Sequence, residues 1–500
     1  MTTNKNPIHY RPTDNPFAMA VTNNTMILRR ELLTRIVKLL HAGRLEEEID
    51  RIPYEMRPKG YEEVSRCCIY KDRAILKYRA MGILGFGIEE EEDEMTPLAE
   101  YVRRAFDRKE ISENPLTVMT DACSACVKVN YVVTNMCRGC VARPCEVNCN
   151  KGAIHFANGQ AHIDPTRCVN CGQCMKNCPF HAIVYIPVPC EESCPVGAIS
   201  KDEHGKEHID PAKCIYCGRC LSACPFGAVV EKSHLIELFK SFQSEKPTVA
   251  LVAPAVAGQF KTSLANIIGA IRKLGFDDVI EVAKGADVTT ANEAAELAEK
   301  VLDGDQDFMT TSCCPSYYML AHKHMPEIVP YVSHTRSPMY YTAEIARKQY
   351  PDATLVFIGP CVAKRKEAYA DPNVDLMLSF EELGTMLVAM GVDIFADSKT
   401  ALDGEILASS RGYAASEGVM SAVAGALSAK EREQIRPIVI NGIDKQTIRE
   451  IRGYAKSCPG NMVEVMACEG GCVNGCNVIA NPKIATRQVK ELAKEQPETK

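Results

Sequence analysis

CEVNCNKGAIHFANGQAHIDPTRCVNCGQCMKNCPFHAI (145–183) and CEESCPVGAISKDEHGKEHIDPAKCIYCGRCLSACPFGAV (190–229) are two copies of one unit, aligned almost residue by residue at a period of about 46. Each copy ends in four cysteines before proline: Cys168, Cys171, Cys174 and Cys178 in the first, Cys214, Cys217, Cys220 and Cys224 in the second. Three closely spaced thiolates and a fourth that precedes proline form the bacterial-type run for a 4Fe-4S cube, the fourth reaching a neighbouring cube. Zinc sites pair two pairs of ligands instead. The repeat also matches Cys145 with Cys190 and Cys149 with Cys194.

The first copy is complete. CRGCVARPCEVNC (137–149) supplies Cys137, Cys140 and Cys145, which with Cys178 bind one cube, while Cys168, Cys171, Cys174 and Cys149 bind a second. The second copy lacks its opening CxxC, and CSAC (123–126) lies upstream of the first. This predicts one ferredoxin inserted within another. Cys123, Cys126, Cys190 and Cys224 then hold a third cube, and Cys214, Cys217, Cys220 and Cys194 a fourth. The alternative for Cys123 and Cys126 is a pair of buried thiols.

The chain has 500 residues, 25 of them cysteine, and a net charge of −6. That length allows several domains. With no apolar leader and no bilayer-length apolar run, the cysteines are expected as metal-bound thiolates in the cytoplasm, with no membrane partner. Arg29 and Arg30 form a twin-arginine pair that no apolar run follows, which argues against export. No concentrated basic stretch points to nucleic acid. MILRRELLTRIVKLLHAGRLEEEIDRI (26–52) has helical periodicity, and the acidic run Glu89 to Glu94 reads as a solvated face or loop. From Thr248 the text becomes α/β: TVALVAPAV, DFMTTSC, TLVFIGPC and NMVEVMAC read as strands, ANEAAELAEKVLD as a helix. Three of these strands run into cysteines, and α/β sheets gather sites at their carboxyl ends. The expected division is a helical region at 1–115, a nested ferredoxin-like region at 116–240, an α/β catalytic domain with sheets flanked by helices at 245–485, and a tail at 486–500.

TSCCP (311–315), PCVAKRKE (360–367) and EVMACEGGCVNG (464–475), in this order, resemble the three signatures of the [FeFe]-hydrogenases, over residues 165 to 480. The resemblance implies reversible conversion of protons and electrons to H2 at an H-cluster, a 4Fe-4S part joined to a diiron part carrying CO, cyanide and a bridging dithiolate. It implies Cys314, Cys361, Cys468 and Cys472 as ligands of the 4Fe-4S part, with Cys472 shared with the diiron part. Lys364 matches the lysine that hydrogen-bonds one cyanide, and Ala253, Pro254 and Ala255 match the loop that meets the other. Met466 joins the cofactor-binding set. Cys313 matches the proton carrier, and a thiol whose ordinary pKa is about 8.5 suits that role. Glu293 and Glu296, three apart on one helical face, and Ser333 match the onward relay. The implied partners are a ferredoxin or similar electron carrier and hydrogenase maturation proteins.

Four positions depart from the usual signatures. Gly359 stands where methionine is usual, Met339 where glutamine is common, Cys476 for a glycine, and Ala255 for a serine. These changes resemble the branch called group B. Cys67, Cys68, Cys458 and Cys476 are expected to be buried structural thiols. Two other functions use the same framework: an H2 sensor with the same centre, and an iron-sulfur assembly protein that shares the fold without the diiron part.

Overall fold

The computed structural model describes residues 23–111, 113–126, 129–396 and 400–494. Leu32, Leu33, Ile36, Val37 and Leu40 recur at three- and four-residue steps and bury one face of the helix Asn24–His41. Asn23 caps it by accepting the Met26 N–H at 2.9 Å. The helices Ile69–Ile83 and Leu98–Asp107 add to the same core. Arg29 and Arg30 both pair with the buried Glu381, so the twin arginines fasten this region to the C-terminal half. The acidic run lies in an exposed turn and loop, as expected, and some of its carboxylates also make ion pairs. Glu89 and Glu90 each lie 3.2 Å from the buried Lys232, and Glu91 pairs with Lys77 at 3.1 Å and accepts from Tyr78 at 2.7 Å.

The strands of the cysteine-rich region pair in a nested order. β1 (Leu116–Val118) is antiparallel to β8 (Val229–Glu231), although more than a hundred residues separate them in the chain. Between them, β2 (Tyr131–Val133) pairs with β5 (Ile183–Tyr185) and closes a smaller unit. The hairpin β3 (Ile154–Ala157) with β4 (Gln160–Ile163) belongs to the smaller unit, and β6 (Ile199–Lys201) with β7 (Glu207–Ile209) is its counterpart in the larger one.

Two parallel sheets follow. One has the order β10 (Asp278–Glu281), β9 (Thr248–Val252), β12 (Thr354–Gly359), β13 (Leu376–Ser379); the other is β11 (Met309–Thr310), β15 (Met462–Met466), β14 (Pro437–Asn441). Every residue of β9, β13 and β15 is buried, as in parallel sheets covered on both faces, and β15 buries the charged Glu464 within its apolar run, where it accepts the Glu417 and Met420 backbone N–H groups. The helix Pro482–Leu492 crosses the boundary expected at 485. Its Ala485 and Val489 are buried, and it packs on the turn Pro254–Gly258 so closely that a Cβ on Gly258 would sit 2.7 Å from the Ala485 Cα.

A buried ion cluster joins the ferredoxin region to the first sheet. Arg365 is 0% exposed; it donates to Glu231 at 2.5 Å, to Glu382 at 2.9 Å and to the Met377 carbonyl at 2.8 Å. Glu231 ends β8, and its other oxygen accepts from Asn477 at 2.5 Å. Removing one member of such a cluster leaves buried carboxylates uncompensated. Arg365→Met is therefore expected to cost roughly 3–5 kcal/mol, read as a lowered urea midpoint against the wild-type chain.

Candidate metal centres and the cavity between the sheets

The fold brings the ferredoxin thiols into four sets. Cys190 lies within electrostatic reach of Cys224, Cys126 and Cys123, and burial pushes it up to about 12. Cys137, Cys140, Cys145 and Cys178 line one small cavity with Phe156 and Phe180. Cys174, pushed up by burial to about 11, faces Cys168 and Cys171, and shares its apolar cluster with Cys149. Cys220 faces Cys217, Cys214 and Cys194. The pairing of β1 with β8 is what carries Cys123 and Cys126 to the second copy.

A shared feature of the two copies escaped the sequence reading. Cys149, Cys178, Cys194 and Cys224 each accept the backbone N–H of the alanine four residues on, Ala153, Ala182, Ala198 and Ala228, at 3.2–3.4 Å. Such N–H groups favour an anionic, metal-bound sulfur. The signal was in the sequence as a fourfold Cys-x-x-x-Ala.

The second set of motifs meets at the carboxyl ends of β9, β11, β12 and β15, which point from both sheets into one partly open cavity of about 850 Å³, the solvent at its mouth included. Its walls include Cys313, Cys314, Cys361, Cys468, Cys472 and Lys364, together with the apolar Ala253, Pro254, Ala255, Met339, Phe357 and Met466. Cys314 ends the chain leaving β11 and caps the helix Pro315–His324; Cys361 does the same between β12 and the helix Val362–Ala368. Burial pushes Cys472 up to about 12 and raises Cys361 and Cys468 further, each repelled by the neighbouring sulfurs. Thiols raised in this way, Cys361, Cys468 and Cys472, become thiolates readily only where cations are held beside them, so with the neighbouring Cys314 this donor set fits a 4Fe-4S group. Lys364 fits an anionic ligand beside it: burial works against its charge, but Glu367, at 2.7 Å, and the sulfurs of Cys361 and Cys313 keep it an ammonium.

Cys313 sits on the cavity wall, 9% exposed. Burial first, then Glu293, Cys314 and Cys472, push its thiol well above the usual range. Cys313 thus holds its proton more firmly than an ordinary thiol, whereas Glu293 is shifted toward neutral pH. Burial, with repulsion from Glu296 and Glu464, pushes Glu293 up to about 8 against the opposing Ser312 N–H, 3.3 Å from its Oε1. Its Oε2 is buried without a hydrogen-bond partner. Beyond it, Ser333 donates to Glu296 at 2.6 Å, and Lys300 donates to Glu296 at 2.6 Å. The exposed His334 gives its N–H to the same carboxylate at 3.0 Å. Glu293, Ser333 and Glu296 thus form a line from the cavity wall to the surface.

Two further residues of the site, Phe357 and Tyr413, were not read from the sequence, and the structure also places Cys476 beside it. Phe357 lies two residues before Gly359 on β12, and a Cβ on Gly359 would come 2.2 Å from its ring. The space freed at Gly359 is thus occupied by Phe357, and the pocket keeps a bulky wall. Tyr413 lines the cavity and shares a 2.7 Å hydrogen bond with Thr290. Cys476 lies against Gly218, between Cys217 and Cys220 on one side and Cys361 and Cys468 on the other. Of the other cysteines without an assigned role, Cys458 packs half-buried on an apolar cluster. Cys67 is exposed and Cys68 half-exposed, with sulfurs 3.8 Å apart, so the expected burial fails at both.

The chain is similar to several known proteins. The family described as iron only hydrogenase large subunit, C-terminal domain, matches residues 246–476. A 4Fe-4S dicluster domain matches 189–228 and a 4Fe-4S binding domain 161–184. Iron hydrogenase 1 of Clostridium pasteurianum is 28% identical over 63% of this chain and 64% of its own. The periplasmic [Fe] hydrogenase large subunit of Nitratidesulfovibrio vulgaris is 28% identical over 64% of this chain and 86% of its own. A cytosolic Fe-S cluster assembly factor of Eremothecium gossypii is 22% identical over 46% of this chain and 64% of its own. The chain thus spans about two thirds of the length of some of these relatives. A solved [FeFe]-hydrogenase from Chlamydomonas reinhardtii aligns with 53% of this chain and 90% of its own, at 22% identity and a TM-score of 0.44. Ferredoxin-like 4Fe-4S domains thus lead into a domain similar to the C-terminal domain of the iron-only hydrogenase large subunit.

Proposed function

We propose that the protein is an enzyme that interconverts H2 with protons and electrons. One observation carries this reading: four thiols, a lysine and a free cysteine converge on one apolar cavity from which a line of carboxylates and a hydroxyl leads out. Cys314, Cys361, Cys468 and Cys472 would hold the 4Fe-4S part of an H-cluster, Cys472 also anchoring the diiron part. When bound, the H-cluster supplies the redox-active metal at which protons and electrons combine. Lys364 neutralises and orients its anionic ligands, while Ala253, Pro254, Ala255, Met339, Phe357 and Met466 keep water out. Cys313 holds a proton at Sγ, Glu293 exchanges it near neutral pH, and Ser333 and Glu296 pass it toward His334.

Electrons would travel through four 4Fe-4S groups on the sixteen ferredoxin cysteines. Exposure supports a direction: the smaller unit buries only Cys145 and Cys174 of its eight cysteines and exposes Cys171, whereas the larger buries six of its eight. A ferredoxin or similar carrier would then meet the smaller unit. Cys217 lines the catalytic cavity, which favours the set Cys194, Cys214, Cys217 and Cys220 as the one next to the H-cluster. No described helix is long and apolar enough to cross a membrane. A cytoplasmic location and dependence on maturation proteins complete the proposal.

The assembly-factor relative favours a second reading, in which the fold handles iron-sulfur groups without hydrogen chemistry. Infrared spectra of protein matured with the diiron cofactor separate the two, since CO and cyanide bands with hydrogen evolution from a reduced dye belong only to the first. A sensor would give the bands with slow turnover. For the ferredoxin region, Cys123→Ser with Cys126→Ser is expected to remove about four irons, one cube, and leave the rest. An unchanged iron count would mean that the insertion does not build a cluster.

A further inference from the structure

Arg79, on the helix Ile69–Ile83, is a buried cation with no ion-pair partner among the described residues. It is 8% exposed; Nη2 donates to the Phe226 carbonyl at 2.9 Å, and Nη1 has no hydrogen-bond partner. The carboxylates nearby are engaged elsewhere: Asp72 binds Arg57 and Ser65, and Glu381 binds Arg29 and Arg30. Both Arg57 and Arg29 add like charge near Arg79, while the groups that favour its charge are Cys224 and Asp72. The contact is tightly fitted, because Gly227 has φ +57° and a Cβ there would stand 2.9 Å from Nη2. A second arginine makes a parallel contact. Arg66 stacks 4.3 Å over the Phe226 ring and donates to the Ala122 carbonyl. The two carbonyls flank Cys224 and Cys123, so the helical N-terminal region places two guanidinium groups against the two chain segments that bring thiols to the third set.

A buried charge is retained where an opposite charge compensates it. We propose that Arg79, assisted by Arg66, is the counter-charge of a 4Fe-4S group on Cys123, Cys126, Cys190 and Cys224, and raises its reduction potential. This rests on the cluster assignment above. Reduction adds one electron, supplied by a low-potential donor, and increases the negative charge of the group by one. A fixed cation therefore favours the reduced form, most strongly where burial limits screening. Arg79 is a positioning and tuning residue, and the N-terminal region acquires a purpose that its sequence does not suggest.

The test is an EPR-monitored redox titration of the full chain with its 4Fe-4S groups restored. Arg79→Gln keeps a donor for the Phe226 carbonyl but loses the charge; Arg79→Lys keeps the charge. In Arg79→Gln the signal that disappears in the Cys123→Ser, Cys126→Ser variant is expected to titrate lower, its reduced-to-oxidised ratio at the wild-type midpoint falling about tenfold, or about 59 mV for one electron. The other 4Fe-4S signals and the iron content stay, and Arg79→Lys recovers most of the shift. Should Arg79→Gln not accumulate folded, Arg66→Gln at its half-exposed position is expected to move the same signal by about threefold. An unmoved midpoint in a variant that keeps its iron overturns the arginine's role. A cysteine double variant that keeps its iron removes the cluster assignment instead.

Discussion

Cys313→Ser is expected to lower hydrogen turnover by ~10² or more, the usual cost of removing a positioned acid or base, while leaving iron content and the CO and cyanide bands almost intact. The thiol is buried on the cavity wall beside the proposed ligand Cys314, and burial with Glu293, Cys314 and Cys472 around it favours its protonated form. In the proposed function it holds a proton, while its neighbour Cys314 binds metal. A serine hydroxyl is similar in size but gives up its proton far less readily. Cys314→Ser differs in kind, because it removes one of four thiols that face one another, so loss of the 4Fe-4S part and of stable diiron binding is expected. Cys313→Asp sharpens the comparison. A carboxyl group can shuttle protons, and its reference pKa is well below that of a thiol, so partial activity with a pH profile displaced to lower values is expected. Full activity of Cys313→Ser, or iron loss equal to that of Cys314→Ser, would show that the two neighbours do not divide the work in this way.

The parts legible in the sequence are those that spacing determines. Four cysteines before a proline announce a cube whatever surrounds them, and the repeat at 145–183 and 190–229 was sufficient to match the smaller unit with the larger. Strands running into Cys313, Cys361 and Cys468 likewise gave the convergence at the carboxyl ends of the sheets. What stayed hidden depends on contacts between distant segments. Glu381 collects Arg29 and Arg30 from the far end of the chain, and the buried Lys232 reaches the exposed carboxylates of Glu89 and Glu90. Phe357 fills the space left at Gly359 because the two lie on one face of a strand, which is visible only when the ring's direction is known. The state of Cys313 could not be read either, since a reference pKa carries no information about burial or about the carboxylate beside it.

Glu293→Gln separates proton transfer from structure more cleanly than any other change at the site. Glu293 is 0% exposed, and burial, with Glu296 and Glu464 nearby, pushes it up to about 8, so at neutral pH both of its protonation states are accessible. Glutamine keeps the shape and can still accept the Ser312 N–H through its amide oxygen, but it cannot exchange a proton. Turnover is expected to fall by ~10²–10³, with iron content unchanged. Stability should move in the opposite direction at high pH. The folded pKa lies above the unfolded value, so the stability associated with the neutral carboxyl is fully present below about 4.5 and is lost as pH rises through about 8. The wild-type chain therefore carries a penalty on the order of 4 kcal/mol at pH 9 that Glu293→Gln lacks. The variant should match the wild type in denaturation midpoint near pH 5 and exceed it near pH 9. A variant that retains full turnover would take Glu293 out of the proton path. Parallel wild-type and variant midpoints across pH would mean that the carboxyl is not held protonated, and the exchange with Cys313 would then need another partner.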